Sequence, residues 1–213
     1  LLIESPGGSI DFGTADIFYD AINTLDSVSA TIRANNNITS NSDANPATFQ
    51  NTLALDGVVL FEATTGSISL ADADLTVADE ATTGSSLTMT SAGNLDLNQS
   101  RLTVNGPTTL TSGGTTNLTS TILTSTPSGA VTDNLIVDSN GPVLMQNTRI
   151  NARGSFNIDG ESTITFGPST VINLNGDLGS KPLTISAVGD LNLGNADIDV
   201  FNIFNLDEDL LIE

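Results

Sequence analysis

The sequence predicts an all-β solenoid, a parallel β-helix with roughly 20–24 residues per coil and about nine or ten coils. Three observations carry this reading. A glycine-anchored pattern of apolar residues recurs five times. Within each copy, apolar and polar residues alternate with period two, as on a strand with one buried face. And no segment carries a convincing helical stripe; the best candidate, Ile17 to Leu25, is short and continues one of the repeat strands.

The anchors are Gly8, Gly66, Gly93, Gly141 and Gly189. Two residues after each stands Ile10, Ile68, Leu95, Val143 or Leu191, and four after stands Phe12, Leu70, Leu97, Met145 or Leu193. Further on come Ile17, Leu75, Leu102, Ile150 or Ile198, then Tyr19, Val77, Val104, Ala152 or Val200. This spacing gives two short strands separated by a tight corner. Upstream of each anchor lies a third strand: Leu2-Ile3, Leu60-Phe61, Leu87-Thr88-Met89, Ile136-Val137 and Leu183-Thr184-Ile185. A three-strand unit this small cannot bury its apolar side alone and must stack on copies of itself.

A looser sixth copy is expected at Gly154, with Phe156, Ile158, Ile164 and Phe166. The gaps from Gly93 to Gly141 and from Gly141 to Gly189 each hold two coils of about 24 residues. Residues 35–51, rich in Asn, Ser and Asp, read as a loop insertion in a single solenoid segment spanning 1–213. Pro107 to Pro127 is Thr- and Ser-rich but keeps Leu110, Leu118, Ile122 and Leu123, so it reads as degenerate coil rather than linker. An inner stack of Ile, Leu, Val and Phe supplies stability at about 25 cal/mol per Å². Asp in place of Leu97 or Leu193 is expected to be severe, because it puts an unpaired charge into a narrow core.

The chain opens Leu1-Leu2-Ile3-Glu4 and finishes Leu210-Leu211-Ile212-Glu213. Either both are upstream strands of a coil, or a tandem superrepeat ends at Asp209 and a new copy begins. We expect the chain to be an excerpt of something longer, one superrepeat of an array.

Composition excludes several functions. Twenty-five acids against five bases give a formal charge of −20. That argues against nucleic acid, whose phosphates need Lys and Arg, and against anionic membrane surfaces. It suits solubility and repulsion between filaments. Without Cys there is neither a disulfide nor a thiolate metal site. No apolar run approaches the ~18 residues of a membrane span.

Acid pairs such as Asp72/Asp74, Asp197/Asp199 and Asp207/Asp209 are the candidates for carbohydrate chemistry. Spaced i, i+2 on strands, they are expected on the solvent face, and His is absent. We therefore expect no enzyme, no catalytic residues, no cofactor-binding residues and no metal ligands. Asp16, Asp74, Arg101, Arg149 and Asp197 share one offset from the anchor, so opposite charges stack in one column with little energetic weight. Gly7-Gly8-Ser9-Ile10-Asp11 is similar to a calcium-binding nonapeptide without its third glycine; no cofactor is expected beyond weak Ca²⁺ binding by exposed acids. Asn37, Asn98 and Asn117 open N-glycosylation sequons, and Thr88-Met89-Thr90 and Thr163-Ile164-Thr165 are the Thr-x-Thr segments that an ice-binding face would need in every coil.

The phrases Leu183-Thr184-Ile185-Ser186-Ala187-Val188-Gly189-Asp190-Leu191-Asn192-Leu193 and Leu87-Thr88-Met89-Thr90-Ser91-Ala92-Gly93-Asn94-Leu95-Asp96-Leu97 resemble the repeats of filamentous-haemagglutinin-type exoproteins, the two-partner-secretion adhesins of Gram-negative bacteria and cyanobacteria. The resemblance runs from Val58 to Val200 and again over Leu1 to Tyr19. It implies a right-handed parallel β-helix, secretion across the outer membrane, and a stalk or adhesive role; no functional residue carries over. The expectation is therefore a structural, extracellular or cell-surface solenoid forming a stalk, fibre or matrix filament, with a part in adhesion or biofilm. Its partners would be further copies joined end to end or in tandem, and a host or neighbouring cell surface or polysaccharide. The rival readings are a calcium-dependent surface-layer subunit and a β-helix enzyme acting on polysaccharide.

Overall fold

The computed structural model describes residues 1–19, 29–40, 51–78, 84–126, 134–176, 183–194, 196–202 and 210–212. Turn one is β1 (Leu2–Ser5), β2 (Ile10–Asp11) and β3 (Ile17–Tyr19); turn two is β4 (Ser29–Ala34), β5 (Ile38–Thr39) and β6 (Asn51–Asp56). Turn three is β7 (Val58–Ala63), β8 (Ile68–Ser69) and β9 (Ala73–Ala78); turn four is β10 (Ser86–Ser91), β11 (Leu95–Asp96) and β12 (Arg101–Val104). Turn five is β13 (Thr108–Ser112), β14 (Thr116–Asn117) and β15 (Ile122–Ser125); turn six is β16 (Asn134–Ser139), β17 (Val143–Met145) and β18 (Arg149–Ala152). Turn seven is β19 (Ser155–Gly160), β20 (Ile164–Phe166) and β21 (Val171–Gly176); turn eight is β22 (Leu183–Ala187), β23 (Leu191–Asn192) and β24 (Asp197–Asn202). Then β25 (Leu210–Ile212) opens a ninth turn.

Each turn gives one strand to each of three parallel sheets, the first with nine strands and the other two with eight. The result is a parallel β-solenoid with every described strand in it. Period two explains the sidedness. In β10, Leu87 and Met89 point inward and are fully covered, while Thr88 and Thr90 face out. Register then stacks like on like. Ile32, Phe61, Met89, Leu110 and Val137 form one inward column of the first sheet, each buried. Burial of such a side chain contributes about 1.5–3 kcal/mol, and one cluster runs the length of the stack.

The expected nine or ten coils are eight complete turns and one further strand. Consecutive turns differ by 21 residues where the connections are minimal, as from Asn94 to Thr115. That agrees with the expected coil length. Elsewhere they differ by 27, as from Ser67 to Asn94, or by 29, as from Glu4 to Arg33. The added residues fall between third-sheet and first-sheet strands at β3–β4, β9–β10, β15–β16, β21–β22 and β24–β25, and once between β5 and β6. Corner insertions consume residues without adding turns.

The insertion expected at 35–51 is narrower. Ile38–Thr39 form β5 and Asn51 begins β6, both paired with the neighbouring turns, and 41–50 lie outside the described residues. The Thr-rich stretch after Pro107 is a full turn, β13 to β15, in register on both sides. The copy expected at Gly154 is misplaced. Gly154 precedes a first-sheet strand, and the residue equivalent to the anchors in that turn is Ser162, two before Ile164.

The anchor position is one column: Gly8, Asn36, Gly66, Gly93, Gly114, Gly141, Ser162 and Gly189. It is tied by amide-to-carbonyl bonds such as Gly93 to Gly66 (2.7 Å) and Gly114 to Gly93 (2.9 Å). Close approach, not backbone conformation, favours glycine here. A Cβ on Gly141 would stand 2.6 Å from the carbonyl carbon of Gly114.

Candidate functional site

Polar residues in this stack fall into columns, and most of their hydrogen bonds run along the axis. The corner between the first and second sheets shows it best. Asn37 donates its backbone N–H to Ser9 Oγ (3.2 Å), Ser67 to Asn37 Oδ1 (2.9 Å), Asn94 to Ser67 Oγ (2.9 Å) and Thr115 to Asn94 Oδ1 (2.9 Å). The next residue in the column, Pro142, has no N–H to donate, and the ladder stops.

The corner between the second and third sheets is held by buried hydroxyls. Thr121 Oγ1 donates to the Leu97 carbonyl (2.6 Å), Thr148 Oγ1 to that of Leu118 (2.5 Å) and Thr170 Oγ1 to that of Met145 (2.6 Å), each one turn back. Before each of them stands a non-glycine residue with positive φ: Ser120 (58°), Asn147 (52°) and Ser169 (59°); Asp72 (57°) and Gln99 (61°) hold the same place in turns three and four. Inside the first corner, Ser112 Oγ lies 2.8 Å from Thr116 Oγ1 and 3.0 Å from Ser139 Oγ, and Ser139 Oγ donates to the Gly114 carbonyl.

The candidate acids among the described residues fall in two places, Asp72 and Asp74 in turn three and Asp197 and Asp199 in turn eight. Asp72, expected on the solvent face, is only 6% exposed and holds the left-handed place of its corner. Asp74 faces out from β9 and pairs with Arg101 Nη1 at 3.4 Å. Asp197 and Asp199 lie in β24 at the register positions of Val171 and Asn173. Asp207 and Asp209 lie outside the described residues.

The charge column is as expected, but only Asp74 and Arg101 are neighbours in it. Ile122 separates Arg101 from Arg149, and Val171 separates Arg149 from Asp197. Asp16 instead accepts the Thr52 N–H at 2.7 Å.

Sequence reasoning missed a second charge column on the first sheet. Arg33 reaches Glu62 Oε2 at 2.5 Å and Glu4 Oε1 at 3.3 Å, from the turns on either side. The hydrogen bond and charge of Glu62, helped by Glu4, raise the already high pKa of the guanidinium. The signal was hidden because turn two carries Asn36 at the anchor position, so Arg33 had no glycine to be counted from.

Of the remaining motifs, Asp11 Oδ1 accepts the Gly13 N–H at 2.9 Å, and Asp96 Oδ1 accepts both the Asn98 N–H and Asn117 Nδ2. The Gly13 and Asn98 contacts close local turns, and the Asn117 contact joins neighbouring coils. Two sequon asparagines, Asn37 and Asn117, thus have side-chain amides engaged in inter-turn bonds. Among the described residues, no three His, Cys, Asp or Glu are grouped to hold a metal ion. Thr163-Ile164-Thr165 belongs to the second sheet, away from Thr88 and Thr90. The segment that stacks on Thr88-Met89-Thr90 is Thr109-Leu110-Thr111, giving an outward array two turns high. Leu60 and Glu62 adjoin it on one side, Ile136 and Asp138 on the other.

Among the described residues, no helix is long and apolar enough to cross a membrane. No family model, no curated protein and no solved structure matches the chain. What the described polar groups accomplish together is the joining of one turn to the next.

Proposed function

We propose that this chain is a length of structural filament, an extracellular or cell-surface β-solenoid that serves as a rigid stalk, fibre or matrix element in adhesion or biofilm. The observation that supports this is the axial direction of its polar bonding. Side-chain ladders at two corners run from turn to turn, as the core does, so stiffness along the axis is what the sequence repeats. Eight turns rise about 40 Å at about 4.8 Å each. The net charge of −20 keeps neighbouring rods apart while leaving their ends free to join. The resemblance of its repeats to filamentous-haemagglutinin-type exoproteins points the same way, to a secreted adhesin of bacterial origin. In this reading the chain needs no cofactor, and its partners are further copies of itself and whatever surface the filament tip meets.

The test is to place tandem arrays of this chain between a cell-surface anchor and an adhesive tip of known affinity. Adhesion between cells should rise as the array is lengthened beyond the height of the surface layer, with tip affinity unchanged. Adhesion independent of array length would reject the stalk.

A further inference from the structure

We propose that consecutive copies of this chain join through the pairing that β22 makes with β25, a following copy continuing the stack with its β1 in the place of β25. The proposal rests on the filament reading above and specifies its joint.

The first argument is register. Leu2 heads a first-sheet column that continues through Thr31 and ends at Thr184 and Leu211. The column of Ile3 ends at Ile185 and Ile212. So Leu210-Leu211-Ile212 repeats Leu1-Leu2-Ile3 in sequence and also column for column, eight turns along. A slip of one residue would reverse which side chains face inward. The β22–β25 pair thus gives the register that the β22–β1 joint would take.

The second argument is the hydrogen-bond series of the second sheet. The N–H of its first residue donates to a carbonyl in the following turn all along the stack: Ile10 to Asn37 (2.8 Å), Ile68 to Asn94 (2.9 Å), Val143 to Thr163 (2.9 Å), Ile164 to Asp190 (3.0 Å). At Leu191 the same series calls for the carbonyl of Ser9 in a following copy. Phe12 to Thr39 and Leu118 to Leu144 define a parallel series that takes Leu193 to Asp11.

In that register Ile10 of the following copy stacks on Leu191, in the column where Ile68, Leu95, Val143 and Ile164 are completely covered.

The experiment uses residues 1–213 followed directly by residues 5–213, so that Leu210–Glu213 also serve as the first four residues of the second copy. Amide exchange is followed at Leu191 and Leu193 of the first copy and compared with the single chain. The expected result is at least about 100-fold slower exchange at both amides, and in solution scattering one rod of about sixteen turns, roughly 75 Å long. Ile10→Asp in the second copy alone should restore fast exchange. Unchanged exchange, or slow exchange that survives Ile10→Asp, overturns the joint. If the two-copy chain bends at the junction while each half stays a stiff rod, the joint fails and the stalk reading stands. If the single chain is not a stiff rod, the stalk reading fails as well.

Discussion

Thr121 donates its hydroxyl to the carbonyl of Leu97 in the preceding turn, at 2.6 Å, with both residues completely covered. That carbonyl also takes the hydroxyl of Ser100 and the backbone N–H of Ser100. Thr121→Val keeps the shape and removes a donor while Ser100 still satisfies the carbonyl, so it should lower stability by about 0.5–1.5 kcal/mol. Thr124→Val, on the outer face of β15, should stay within about 0.5 kcal/mol of the parent. Denaturant midpoints of the two variants decide it, and equal midpoints would mean that the corner hydroxyls are incidental.

This pair also shows what was and was not legible in the sequence. Ile32, Met89 and Ile158 declare their facing by alternation, because an apolar side chain next to polar neighbours has one sensible direction. Thr108, Thr116 and Thr121 do not. A threonine reads as an outward strand residue, yet these three are buried. Thr121 is satisfied by a carbonyl 24 residues away, and Thr116 by a serine of its own turn. Five of the six glycine anchors were readable; Gly114 was not, because the residue two after it is Thr116 instead of an apolar one. Asn36 and Ser162 hold the same place with a side chain, and the turns they mark were lost or shifted. Coil number was overestimated because corner insertions of unequal length look like coil. As for the acids, the sequence did not show where the described side chains are engaged. Asp74 has Arg101, Asp11 and Asp96 close turns, and Asp72 sits inside its corner.

The glycine column predicts a contrast between two alanine substitutions. At Gly141 a Cβ would stand 2.6 Å from a backbone carbon of Gly114, so the stacked corners must part, at a cost of about 1–3 kcal/mol. At Gly7 a Cβ meets nothing within 4 Å. Gly7→Ala should therefore be neutral or slightly stabilising through the unfolded chain. Thermal unfolding of both variants tests this; a neutral Gly141→Ala would show that the corners have slack.

Aspartate in the core separates the interior of the stack from its end. Leu97 is fully covered, and Leu97→Asp should prevent folding, because it buries a charge with no partner. The equal severity expected for Leu193→Asp is not what the structure indicates, since Leu193 is only partly buried in turn eight. In the single chain that variant should fold with reduced stability. In the two-copy chain, where the joint covers Leu193, the same substitution should destabilise far more. Circular dichroism melts of the four proteins give the comparison, and equal losses in one and two copies would contradict the joint.

The left-handed corner residues are a reserve of stability. Ser120 and Ser169 hold φ near 58° and 59°, a region that costs a residue with a Cβ roughly 1 kcal/mol. Glycine removes that cost, and part of the gain is lost to the greater freedom of the unfolded chain. Ser120→Gly and Ser169→Gly should each stabilise by up to about 1 kcal/mol. The two sites are two turns apart and share no hydrogen bond, so the gains should add. Valine at Ser120 should do the opposite, since a β-branched side chain tolerates this region least. Urea midpoints rising for both glycine variants and falling for Ser120→Val would establish that the stack carries backbone strain at this corner. No gain from either glycine would mean that the bonds at Thr121 and Thr170, set by the same corner geometry, already depend on the serine that precedes them.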